Sequence, residues 1–225
     1  MVLTEDLGLI TEQALCITFN IPYEGSPFKY DMKEATEISE RIKTSSSFKH
    51  IPKIIKHTAQ KGNQYDFLLE DNTHLSCKST KYQGKVCPQV IGQPTKKRFC
   101  EYFKINEETN SDIKSYITQN QNINFMLNEY MKHTFDVPML YYNKKRKTML
   151  YIKLINPIIW NDYFIEFSHI TKNKVWNESS TIKINTKTIG EFQVHNKRNC
   201  IKFRWCFEQM LILFKSNFEV ITIFQ

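Results

Sequence analysis

The sequence predicts an α/β fold, a mixed central sheet flanked by helices. Three observations lead there. Near the start, apolar residues recur at helical spacing, first Leu7, Ile10, Ala14 and Ile17, then Met32, Ala35, Ile38 and Ile42. At Tyr65 the pattern changes to two strand-like runs around a polar turn. Further on, one amphipathic segment, 121–135, is followed by β-branched and aromatic runs. A chain of 225 residues can bury one core, or one core with a small lobe.

Taken in order, the first helix covers Thr4 to Ile17, with Thr4 as its cap. Residues 21–27 carry two prolines and a glycine and read as a loop. Asp31 caps a second helix to Lys43. A Ser-rich break at 44–48 follows, then a short third helix within Pro52 to Thr58, where Pro52 suits a first turn. Tyr65 to Glu70 is a strand, Asp71-Asn72-Thr73 a turn, and His74 to Tyr82 a second strand. Lys85 to Lys97 is basic and punctuated by Pro and Gly. The polar stretch Asn106 to Asn120 reads as an inserted surface segment. Gln121 to Phe135 is a helix with Ile123, Met126, Leu127, Tyr130 and Met131 on one side. Thr148 to Ile155, Ile158 to Phe167 and Thr181 to Ile184 are later strands. A turn at Gly190 leads into aromatic strands or a helix. No repeat, low-complexity run or domain boundary interrupts 1–225, which reads as a single domain with a helical part at 1–60.

Thirty-one Lys and Arg against 23 acids give a net charge of +8, which favours a polyanionic partner. The six cysteines form no CxxC pair, so a zinc site has little support and reduced thiols in a cytoplasmic setting are the simplest expectation. The first residues have no basic n-region and the apolar runs are short, so neither a signal peptide nor a membrane span is expected. No P-loop is present, which argues against a nucleotide cofactor. The histidines show no HxH, HExxH or HNH-like setting, which disfavours a ββα-metal nuclease or a zinc hydrolase. There is no GxSxG, and Cys77 reads as a buried structural cysteine.

The chemistry-bearing feature is the hairpin. With a three-residue turn at 71–73, Glu70 pairs with His74, Leu68 with Ser76, and Asp66 with Lys78. Opposed residues share a face at about 5 Å between Cβ atoms, so Asp66, Ser76 and Lys78 project together. A carboxylate beside an ammonium suits phosphodiester cleavage: the acid holds a divalent cation, and the lysine positions a water and steadies charge on the phosphate. Mg²⁺ fits, because it needs only one or two protein carboxylates. On its own, the same pair is also an ordinary surface salt bridge.

Asp66, a hairpin and then Ser76-Cys77-Lys78 resemble the PD-(D/E)XK motif of type II restriction endonucleases, and the order helix, strand, hairpin, helix resembles that superfamily's core. The resemblance implies a restriction-endonuclease-like fold, with Asp66 and the Cys77 carbonyl as metal ligands and Lys78 as the catalytic lysine. Tyr65 departs from the usual Pro, and Ser76 from the usual acid, which leaves the site one charge short. Such nucleases often supply a further Glu from an upstream helix. Glu12 is preferred over Glu37 and Glu40 because its helix is the more apolar. Glu70 and Asp71, at the turn, read as solvated.

Two stretches favour DNA as the polyanion. Lys78 to Arg98 contains no acid, so Lys81, Lys85 and Lys96 can track phosphates while Gln89 and Gln93 bond sugar or base edges. Residues 188–205 interleave Gln193, His195, Arg198, Lys202 and Arg204 with apolar positions, a pattern suited to base reading from a strand pair. This segment resembles C-terminal parts of some type II restriction enzymes, so 181–225 is the expected DNA-recognition part. The expected function is Mg²⁺-dependent cleavage of double-stranded DNA at a short sequence by a homodimer. A DNA-binding protein without catalysis and a structure-specific repair or recombination nuclease are the alternatives.

Overall fold

The computed structural model describes residues 4–25, 29, 32–59, 63–82, 84–106, 108–171 and 175–225. In chain order its elements are α1 (Thr4–Phe19), α2 (Met32–Lys43), β1 (Ile54–His57), β2 (Phe67–Leu69), β3 (His74–Thr80), β4 (Lys85–Val86), α3 (Lys96–Phe103), α4 (Asn110–Thr118), α5 (Asn120–Phe135), β5 (Met139–Asn143), β6 (Thr148–Leu154), β7 (Glu166–Phe167), α6 (Ser168–Thr171), β8 (Ser179–Ile184), β9 (Lys187–Val194), β10 (Ile201–Cys206), α7 (Phe207–Leu213) and β11 (Phe218–Phe224). They form two compact units, one from 1–83, 137–155 and 218–225, the other from 84–136 and 156–217.

The first unit holds a six-stranded sheet in the order β1-β2-β3-β5-β6-β11. It is mixed, because β3 runs parallel to β5 while the other neighbours are antiparallel. The α/β architecture with a mixed sheet is the one the sequence predicts. Helices α1 and α2 bury their apolar stripes against one face, where Leu7, Ile10, Ala14, Ala35 and Ile38 share a core with Leu75, Cys77 and Leu140. Helix α1 ends at Asn20, whose φ of 52° lets the Ile21 N–H reach the Cys16 carbonyl at 3.1 Å and the Asn20 N–H reach that of Ile17. The expected caps, the Thr4 side chain and Asp31, lie outside the described residues.

Two local expectations in this unit are corrected. The segment 52–58 is not helical: β-branched Ile54 and Ile55 enter β1, and Ile54 pairs with Leu69. The Ser-rich break does follow α2, with a 3-10 turn over Ser46–His50 capped by Ser45. The hairpin register also differs, with Leu68 opposite His74 and Phe67 opposite Leu75. Its loop is Glu70-Asp71-Asn72, closed by the Leu69 N–H on the Thr73 carbonyl, with Asn72 at φ 64°. Asn tolerates the left-handed position that such a three-residue loop requires. The register moves by two residues, so every side chain keeps its face.

The second unit holds an antiparallel sheet in the order β4-β10-β9-β8-β7. Phe192, Phe203 and Trp205 line its core face against α5, where the Tyr130 ring stacks on Phe203 at 4.0 Å. Gly190 does not make a turn. It sits within β9 opposite Trp205, where a Cβ would come within 2.9 Å of the Phe203 ring. The turn lies instead at Asn185-Thr186, both left-handed, as a two-residue hairpin loop demands. Residues 158–167 are not one strand either. Trp160 starts a 3-10 turn and packs its ring on Trp205, leaving only two strand residues in β7. The polar stretch 106–120 contains α4, capped by Thr109 and held by buried Ile113 and Ile117.

Candidate active site

Asp66 sits where β2 and β3 separate. Beyond Leu75, β3 leaves its hairpin partner and continues alongside β5, so Cys77 has no β2 residue opposite it. A backbone N–H without a ladder partner needs another acceptor, and Asp66 Oδ2 takes the Cys77 N–H at 2.6 Å. The Asp66 backbone is pinned on both sides: its N–H donates to the Leu75 carbonyl, and its carbonyl accepts the Thr58 N–H at 2.8 Å. Lys78 Nζ stands 4.0 Å from the same Oδ2. Strand alternation sends Leu75 and Cys77 into the helix-covered core and Ser76 and Lys78 to the opposite face. Ser76 is fully buried. The Cys77 thiol is raised far above its ordinary pKa by burial, with the Glu12 and Asp66 charges adding to the effect. It stays protonated and is no nucleophile.

Of the three upstream glutamates, Glu12 alone belongs to this cluster. Glu37 and Glu40 are exposed, and Glu40 pairs with Lys43 on its own helix. The Glu12 carboxyl is pushed above its ordinary pKa, first by burial. The His57 hydrogen bond opposes that, the Asp66 charge adds to it, and the electrostatic influence of the His57 ring and of Lys78 offsets part of the rise. Glu70 and Asp71 are exposed at the turn, where Asp71 Oδ1 accepts the Thr73 N–H and hydroxyl.

Two carboxylates that repel each other, one of them desolvated, suit a small hard cation. The donors are all oxygen, counting the Cys77 carbonyl, which strand geometry points to the same side as the Cys77 N–H. No trio of His, Cys, Asp or Glu side chains among the described residues is placed to chelate a metal. A site with two carboxylates and a carbonyl therefore suits Mg²⁺, which keeps several waters, better than zinc, which takes four protein ligands in structural sites.

His57 was not legible as part of this cluster. It is fully buried on β1, with Nε2 3.2 Å from Glu12 Oε2. No spacing rule links positions 12 and 57, because only the packing of α1 against β1 and β3 brings them together.

Among the residues expected to contact DNA, the second unit gathers Lys85, Gln193, Lys202 and Arg204 on the polar face of its sheet, together with Glu191. Glu191 is buried and accepts from Lys85 and from Arg204, each at 2.8 Å. Its burial favours the neutral acid, but the Lys85 hydrogen bond and the two positive charges outweigh that and hold its pKa below the ordinary value. Its contribution to stability is therefore present above the unfolded pKa and is lost as pH falls through the lower folded value. We expect Glu191→Gln to cost about 1–3 kcal/mol at neutral pH. The cost should shrink at acid pH, as chemical denaturation across pH would show. Glu191 was not among the expected contacts, because its partners Lys85 and Arg204 come from other strands.

The other expected contacts are spread out. Lys81 belongs to the first unit. Lys96 opens α3, and Gln93 is exposed beside Cys200. Gln89 lies in the loop before α3, where its backbone N–H donates to the His133 carbonyl. On the β9–β10 connection, Arg198 is exposed and His195 pairs with Glu178 at 3.0 Å.

No protein-family profile and no solved structure matches the chain. Over 222 residues, 98% of its length, it is 41% identical to the type II restriction enzyme CviAII of Paramecium bursaria Chlorella virus 1. It spans 63% of that protein's length. Along nearly all of its own sequence, the chain is thus a homologue of a type II restriction enzyme.

Proposed function

We propose that this chain is a type II restriction endonuclease of the PD-(D/E)XK kind, which hydrolyses phosphodiester bonds of double-stranded DNA at a short specific sequence with Mg²⁺. The observation that carries the reading is Asp66, locked onto the Cys77 N–H at 2.6 Å with the Lys78 ammonium 4.0 Å away. The 41% identity to a restriction enzyme supports the same activity.

Asp66, Glu12 and the Cys77 carbonyl would hold the metal, which supplies charge stabilisation at the phosphate and a more acidic water. Lys78 orients the attacking water and steadies the phosphate oxygens as charge builds on them. Ser76, a neutral residue where an acid is usual, makes Glu12 the second carboxylate of the site. The polar sheet face of the second unit presents Gln193, Lys202 and Arg204 to base edges, so of the expected recognition part 181–225 only 181–217 belongs to this unit, while 218–225 adds β11 to the sheet of the first. Lys81, Lys85, Gln89, Gln93, Lys96, His195 and Arg198 complete the DNA contacts. A homodimer matches a palindromic site. No described helix is long and apolar enough to cross a membrane, and cysteines that all stand as thiols fit the cytoplasmic location that a DNA substrate implies.

The test is incubation of purified protein with DNA of known sequence and Mg²⁺. Discrete fragments with fixed ends support the reading. A smear, or cutting confined to branched DNA, would select a structure-specific nuclease. Salt-sensitive binding without cutting under any divalent ion would select a non-catalytic binder.

A further inference from the structure

We propose that His57 is a positioning residue that fixes the Glu12 carboxylate for the metal. The inference rests on the nuclease reading of the site. Both ring nitrogens of His57 are engaged inside a fully buried setting. Nδ1 accepts the backbone N–H of Glu24 at 3.0 Å. A nitrogen that accepts carries no proton, so the proton of the neutral ring resides on Nε2 and is donated to Glu12 Oε2 at 3.2 Å. The ring itself cannot turn freely, since it stacks on Tyr23 at 4.6 Å and 19° and packs against Phe67 at 5.1 Å.

This arrangement answers a problem created by Glu12. A glutamate projecting from a helix has three side-chain torsions, and here its carboxyl is desolvated beside Asp66. A fixed donor on Oε2 selects one rotamer and leaves Oε1 to face a cation. Partners of this kind orient the ligands of metal sites, and their loss commonly weakens metal binding about 10–100-fold. Asp66 is fixed in an analogous way by the Cys77 N–H, so both carboxylates of the site are oriented before a metal arrives.

The experiment compares the parent protein with His57→Phe, which keeps a ring between Tyr23 and Phe67, and His57→Gln, which keeps a side-chain donor. Mn²⁺ binding without DNA is measured by titration calorimetry. His57→Phe is expected to bind Mn²⁺ about 10–100-fold more weakly, with His57→Gln recovering much of the loss. The Mg²⁺ concentration for half-maximal cleavage should rise in parallel, while the rate at saturating metal stays near that of the parent. Metal affinity unchanged in His57→Phe, with only a lower melting temperature, would overturn the inference and leave the nuclease reading standing. A parent that binds no Mn²⁺ and cuts no DNA would overturn both. If His57→Phe fails to fold, ¹⁵N NMR of the unmutated imidazole decides: the Nε2–H tautomer is expected, and the Nδ1–H tautomer would contradict the proposal.

Discussion

Asp66→Asn should lower the single-turnover cleavage rate by about 10³-fold or more, an energetic effect of about 4 kcal/mol on the barrier. The substitution is chosen for what it keeps. Asn retains an oxygen that can accept the Cys77 N–H, so the junction of β2 and β3 has no reason to open. What it removes is the negative charge that would hold a cation and that faces Lys78 at 4.0 Å. DNA affinity measured in EDTA should stay within a few-fold of the parent, which separates loss of chemistry from loss of binding. Lys78→Ala should also cut slowly, by about 10²–10⁴-fold, but through loss of a proton-handling and charge-steadying group. Metal affinity should therefore fall in Asp66→Asn and not in Lys78→Ala. If either variant cuts at the parental rate, the assigned centre is wrong.

The largest effect on stability is expected from Trp205→Ala, about 3–5 kcal/mol. Trp205 is fully buried in the sheet of the second unit. Its ring packs parallel to Trp160 at 6.0 Å and edge-on to Phe203 at 4.8 Å, and its indole N–H donates to the Thr134 hydroxyl at 2.9 Å. Opposite it stands Gly190, so no side chain from that strand position can fill the void. Truncation would leave a cavity and a buried hydroxyl without its donor, two costs that add. Trp205→Phe restores most of the volume but not the N–H, and should cost markedly less than Trp205→Ala. Urea denaturation of the three proteins gives the comparison. Equal midpoints for Ala and parent would show that this cluster does not hold the unit together.

The parts of the fold that were legible are those set by local periodicity. Helices α1, α2 and α5 carry their apolar stripes in the sequence, and the strands around Asp66 and Lys78 show in the change from helical spacing to short β runs. The parts that were not legible are decided by partners distant in sequence. Ile54 and Ile55 follow a proline that suits a helix start, yet pairing with Leu69 makes them a strand. Gly190 reads as a turn until Phe203 and Trp205 are seen to need its missing side chain. Strand β5 follows helix α5 directly, and only its parallel pairing with β3 reveals its place. In the site, Asp66, Cys77 and Lys78 lie on one hairpin and could be read from spacing. Glu12 was one of three candidate glutamates, and of these it alone is buried. His57 and Glu191 gave no local signal, because each acquires its role from side chains tens of residues away.

Whether Glu12, Asp66 and the Cys77 carbonyl form one metal centre is tested most directly by local backbone cleavage. Fe²⁺ replaces Mg²⁺, ascorbate and peroxide generate hydroxyl radicals at the bound ion, and mass spectrometry maps the cuts in the chain. Cuts clustered near residues 12, 66 and 77, suppressed by excess Mg²⁺ and absent in Asp66→Asn, are the predicted result. Cuts elsewhere in the chain, or the same cuts persisting in Asp66→Asn, would contradict the account.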